Sequence, residues 1–170
     1  MCEMVVINVS SKEIRIVRLE PMRVASLRVI SITPELEAWA KMRAWAESKG
    51  LLGDLVKHPV YGFNEPPPEP GKREYGYEFW IQVGDDIVSD DVVEVKEVEG
   101  GEYAVTTCVL KEELESDFFK EHGILESWHR LDEWAKVNGY KYRGHPGLEK
   151  AHDPDAGSDL VLDLYYPITK

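Results

Sequence analysis

In the segment EYGYEFWIQV, residues 74–83, the carboxylate of Glu78 stands between Tyr77 and Phe79 and two residues before Trp80. An acid beside aromatic faces suits a cationic or dipolar aromatic guest, because charge pairing, stacking and cation–π attraction act together. In extended chain alternate residues share a face. Tyr75, Tyr77, Phe79, Ile81 and Val83 therefore point one way, and Glu78, Trp80 and Gln82 the other. The segment DLYYPI, residues 163–168, is built alike: Leu162, Leu164, Tyr166 and Ile168 fall on one face, Asp163 and Tyr165 on the other. The mostly apolar faces are expected to pack under helices. That directs Glu78, Trp80, Asp163 and Tyr165 toward a groove.

Other chemistries find no support in the spacing. His58, His122, His129, His145 and His152 show no close metal-ligand spacing with cysteines or acids, so no metal is expected. There is no GxSxG, no Gly-rich phosphate loop and no basic cluster interleaved with aromatics. Cys108 reads as a small buried hydrophobe in a strand. No catalytic residue is assigned and no cofactor is expected.

The elements that must position these residues come in two similar sets. In the first, strands are expected at 14–19 and 23–32, then a helix at 34–49. Thr33-Pro34-Glu35 supplies its start and Gly50 its end. Strands 58–64 and 75–83 follow, joined by the Pro-rich loop EPPPEPG. In the second set, strands are expected at 92–98 and 103–110, an irregular or helical insert at 111–122, a helix at 124–138, and strands at 147–151 and 160–168.

The helices carry the repeat most plainly. WAKMRAWAESKG, Trp39–Gly50, aligns without a gap on WHRLDEWAKVNG, Trp128–Gly139. Ala38, Trp39, Met42, Trp45 and Ala46 fall within an arc of about 120° on a helix. Ile124, Trp128, Leu131, Trp134 and Ala135 do the same, so all four tryptophans are expected in the core. The shared order of elements argues for duplication, with halves at about 14–84 and 92–169 related by a pseudo-twofold axis around a central groove. The fold class expected is α+β, in one domain.

Composition bounds the partners. With 32 acidic against 20 basic residues the net charge is −12, which repels phosphate backbones and argues against nucleic acid. No window approaches the roughly 18 apolar residues of a membrane span, and the N-terminus does not read as a signal peptide. Two cysteines, Cys2 and Cys108, are too few for a disulfide framework, so a reducing cytoplasm is expected. A monomer and a homodimer are both compatible with the chain.

The duplicated pattern, with GGEYAV at 100–105, the W-x5-W helices and the terminal DLYYPI, resembles the GyrI-like small-molecule-binding domain. That module serves as the effector-binding part of some AraC-class and MerR-class regulators. YGFNEPPPEPG followed by EYGYEFWIQV is similar to one branch of the family, and the resemblance covers about residues 13–169. It implies a tandem α+β fold whose groove takes lipophilic, aromatic or cationic compounds beside an acid. Glu78 and Glu149 both match the position of such an acid, although Ala151 stands where many members carry an aromatic two residues after the glutamate. Tyr61 and Phe63, in YGFN, join the ligand-binding candidates. The start of the repeat near residue 13 leaves no space for a helix-turn-helix, so a stand-alone binder that senses or sequesters xenobiotics is expected. The alternative implied is a hydrolase of reactive, cyclopropane-bearing xenobiotics using the same groove.

Overall fold

The computed structural model describes residues 13–110 and 120–170, without the side chains of 120–122. Cys2, most of the expected insert 111–122 and the His122 side chain lie outside the described residues. The first set of elements is β1 (Arg15–Leu19), β2 (Met22–Ser31), α1 (Pro34–Ser48), β3 (Val60–Asn64) and β4 (Tyr75–Gln82). The second is β5 (Glu94–Val98), β6 (Gly101–Val109), α2 (Lys120–Val137), β7 (Lys141–Tyr142), β8 (Leu148–Ala151) and β9 (Val161–Thr169). The two-residue strand β7 and the 3-10 turn Gly157–Asp159 have no periodicity to announce them in the sequence.

Both helices stop in the same way. After α1, Gly50 at φ 69° lets its own N–H reach Glu47 O at 3.1 Å and the Leu51 N–H reach Ala46 O at 3.1 Å. After α2, Gly139 at φ 77° permits the matching bonds to Lys136 O and Ala135 O. Only a residue without Cβ takes that left-handed turn cheaply, which is why glycine closes both helices.

The strands form one antiparallel sheet in the order β1-β6-β9-β8-β3-β4-β2-β5, with β7 added on β9. Consecutive sets meet at the β3–β8 seam, and each set lends its first strand to the other: β1 pairs β6, and β5 pairs β2. One face carries the helices. Met42, Trp45 and Ala46 of α1 pack on Ala25, Leu27 and Ile81, while Leu131 and Ala135 of α2 pack on Ala104, Leu164 and Ile168. Among the described residues the other face is lined by strands alone, with Tyr61, Phe63, Trp80, Tyr103 and Tyr165 around Val24 and Val105. Residues of both edge strands, Val17 and Leu19 of β1 and Val98 of β5, join that same cluster. Opposite edges can share one cluster only if the sheet curls. The fold is therefore α+β, a curled half-barrel with, among the described residues, two helices outside.

The tryptophans do not all enter the core. Trp45 is 6% exposed within the α1 core, whereas Trp39, Trp128 and Trp134 are only partly buried. Residues six apart on a helix point about 120° apart, so a single sheet beneath cannot cover both members of a W-x5-W pair. Among the described residues no helix is long and apolar enough to cross a membrane.

Candidate functional site

A cleft of about 460 Å³ lies on the helix face, with walls from α1, α2, β3, β4 and β8. Leu36, Trp39, Phe79, Ile124 and Leu162 make its walls apolar, while Glu149 and Glu35 bring carboxylates to it. A second hollow of about 330 Å³ is lined by Trp128, Tyr142, Gly147 and Tyr166. Asn64 and Glu149 line both.

Register explains how Glu149 reaches this place. On neighbouring strands Gly62 pairs with Phe79 on one side and Glu149 on the other, so the three lie in a row across the seam. A Cβ on Gly62 would come within 2.3 Å of the Tyr77 hydroxyl, so the tyrosine ring lies over the glycine. That leaves Tyr77 Oη free to donate to Glu149 Oε2 at 3.1 Å. Burial pushes the Glu149 carboxyl up to about 7; the Tyr77 hydrogen bond opposes this and the nearby Glu35 charge adds to it. Among the described residues no cation figures among the charges acting on it. Tyr77 itself is raised well above the usual phenol range, first by burial and then by the Glu149 carboxylate. Glu35 accepts bonds from Tyr75 Oη on both oxygens, at 2.9 and 2.8 Å.

The aromatic wall is continuous. The Trp39 and Phe79 ring centroids are 5.3 Å apart, and those of Phe79 and Tyr77 5.0 Å. Trp39 Nε1 donates to Asp155 Oδ1 at 3.1 Å, and Arg43 Nε lies 3.0 Å from the same oxygen. These bonds tie the β8–β9 loop, whose Pro154 lines the cleft, to α1 at the rim.

The other expected acids lie elsewhere. Glu78, 4% exposed, points to the strand-only face, where Arg28 Nη2 is 3.2 Å from Oε1 and Lys96 Nζ 3.6 Å from Oε2. Trp80 Nε1 donates to its Oε2 at 2.9 Å. Arg28 is the register partner of Glu78, so the pair follows from strand alignment. On the same face Asp163 accepts from Thr107 at 2.7 Å and lies 3.0 Å from His152 and 3.4 Å from Arg15. Burial raises the Asp163 carboxyl, but the bonds from His152 and Thr107 and the Arg15 charge outweigh it and hold the group below its usual value.

Tyr61, Trp80 and Tyr165 are core residues of the curl. Tyr165 meets Tyr61 edge-on at 5.9 Å, and its phenol is pushed up to about 12 by burial. Phe63 packs edge-on to Trp80 at 4.7 Å and also reaches the second hollow. Among the described residues, the Glu78 face thus holds aromatics packed on one another and acids engaged in ion pairs, while the cleft of about 460 Å³ opens on the helix face. Alternation sorts residues into two faces correctly, yet it does not say that two helices leave a gap between them over the seam. Of the sequence candidates, Glu149 and Phe63 line the hollows. Trp39, Trp128, Tyr77 and Glu35 were missed as lining residues; the 120° offset within each W-x5-W pair was the available signal.

Residues 15–168 match the family model of Cass2, described as an integron-associated effector-binding protein. No curated protein matches the chain significantly in sequence. Among solved structures, EcmrR in complex with DNA is similar at 11% identity and TM-score 0.65, covering 93% of this chain, which spans 57% of the EcmrR chain. The hydrolase encoded by lin2189 from Listeria innocua matches at 13% identity and TM-score 0.65, covering 92% of each chain. SAV2435 bound to tetraphenylphosphonium matches at 12% identity and TM-score 0.50, with 92% of this chain and 94% of that one covered. At such identities these structures speak for the fold alone, and they share the α+β architecture of the GyrI-like effector-binding domain. The family match spans both sets of elements and the cleft between them, and the chain belongs to the family of Cass2, the integron-associated effector-binding proteins.

Proposed function

We propose that the cleft binds lipophilic cations and planar aromatic small molecules, with Glu149 as the counter-charge. The observation that carries this is a half-buried carboxyl on the cleft wall, poorly enough solvated to be pushed up to about 7 and with no cation acting on it among the described residues, set among apolar and aromatic walls. Ionising such a group without a partner is costly, so a guest cation of the right shape gains the full attraction of a poorly solvated acid. Trp39 and Phe79 offer ring faces to its aromatic parts. Neutral planar guests use the walls alone. The effector-binding family and the fold shared with SAV2435, solved with a lipophilic aromatic cation, support the reading.

The test uses tetraphenylphosphonium and its neutral analogue triphenylphosphine oxide in titration calorimetry. Glu149→Gln is expected to weaken the cation by about 10–100-fold, the weight of a charge-assisted contact, and to leave the neutral probe nearly unchanged. Equal loss for both probes, or no binding of the cation to the native chain, refutes it.

A hydrolytic reading rests on the same group. A carboxyl near neutral pH beside the Tyr77 phenol is matched to proton transfer. In that case Glu149→Gln abolishes turnover of a reactive substrate while triphenylphosphine oxide still binds.

A further inference from the structure

The two hollows differ in aromatic content but share one acid. The larger has Trp39 and Phe79 on its wall, the smaller Trp128, Tyr142 and Tyr166, and Glu149 and Asn64 border both. The smaller hollow is formed with some specificity. A Cβ at Gly147 would stand 2.9 Å from Trp128 Cη2, so the absence of a side chain there lets the indole lie against the backbone of the hollow. Tyr142 completes the opposite side, packed at 5.4 Å on Tyr166. Each hollow falls within or near the roughly 300–1,000 Å³ of small-molecule pockets, and among the described residues neither holds an acid of its own beyond the shared border except Glu35 at the larger.

On the reading that this site takes cations, we propose that its preferred guests are two-armed cations. The charged centre sits at Glu149, one flat apolar arm lies against Trp39 and Phe79, and a second lies against Trp128 and Tyr142. A one-armed cation satisfies the acid and one aromatic wall but leaves the other hollow wet. The second arm removes further apolar surface from water on both partners without a second charge to desolvate. Asn64, at the same border, can donate or accept a hydrogen bond and so tolerates polar linkers near the centre.

Benzyltrimethylammonium and dibenzyldimethylammonium carry the same charge and differ by one arm. With the full chain, titration calorimetry is expected to show one site for each, the two-armed probe binding about 10-fold tighter. Tyr142→Ala, at a residue 54% exposed and so tolerable to the fold, should remove most of that advantage, while the one-armed probe still binds at the Trp39 and Phe79 wall. Trp128→Ala should do the same, with thermal unfolding confirming that each variant is folded. Equal affinity of the two probes overturns the inference, as does a Tyr142→Ala or Trp128→Ala loss that falls equally on both. Two one-armed molecules per chain, with no gain for the two-armed probe, overturn it as well. Failure of both probes to bind removes the cation reading itself, whereas one-armed binding without the two-armed gain removes only this inference.

Discussion

The folded chain keeps a proton on Glu149 over a pH range in which an unfolded chain has released it, because burial lifts the carboxyl from 4.5 to about 7. Between these values the native state holds more protons, so its stability falls as pH rises. The contribution is fully present below pH 4.5 and lost through pH 7. It amounts to at most about 3–4 kcal/mol at 1.36 kcal/mol per unit. Urea unfolding from pH 4.5 to 8 is expected to show this slope in the native chain, and Glu149→Gln to flatten it. Tetraphenylphosphonium affinity should run the opposite way, rising up to about tenfold per unit as pH approaches 7 from below. Gly62 governs the same carboxyl from beneath. Gly62→Ala must displace a Tyr77 ring that approaches the new Cβ to 2.3 Å, at a cost of about 1–3 kcal/mol. Losing the Tyr77 bond, which lowers the Glu149 carboxyl, should move its titration midpoint further up. An unchanged midpoint would mean that the tyrosine shifts without letting go.

Along α1 the two tryptophans divide between core and cleft, and substitution should separate them. Trp45 is buried with Met42 and Ala46, and its Nε1 donates to Asp90 at 2.8 Å. Trp45→Ala is expected to cost about 3–5 kcal/mol in denaturant unfolding. Trp39→Ala, at a partly buried ring on the cleft wall, should cost less than about 2 kcal/mol yet weaken tetraphenylphosphonium binding. The reverse ranking would place the core on the wrong tryptophan. This division marks how far the sequence could be read. Period and caps located α1, and alternation put Tyr77 with Phe79 and Glu78 with Trp80 on opposite faces: Phe79 packs on one cluster and against Tyr77, Trp80 in the other and onto Glu78. What periodicity does not contain is register: that Arg28 lies opposite Glu78, or that Gly62 lies between Phe79 and Glu149. The charge state of each acid depends on such neighbours, so Glu78 looked available in the sequence when its partners had already been set by strand pairing.

At the scale of the whole molecule, neither set of elements can complete itself. β1 pairs with β6 of the other set, β5 pairs with β2, and the β3–β8 seam joins the two middles. The strand-only cluster draws Trp80, Tyr61 and Val24 from the first set and Tyr103, Leu148 and Tyr165 from the second. The buried acids are crossed in the same fashion, since Glu78 is partnered by Lys96 and Asp163 by Arg15. Separating the sets therefore strips each of an edge strand, half a core and one counter-ion of a buried carboxylate, a combination that leaves an uncompensated charge as well as exposed aromatics. The intact chain is expected to unfold in one transition by circular dichroism and by tryptophan fluorescence alike. Fragments 1–91 and 92–170 should each be unfolded alone and regain structure when mixed. A cooperative transition in the isolated 1–91 fragment would show that the crossed strands are dispensable.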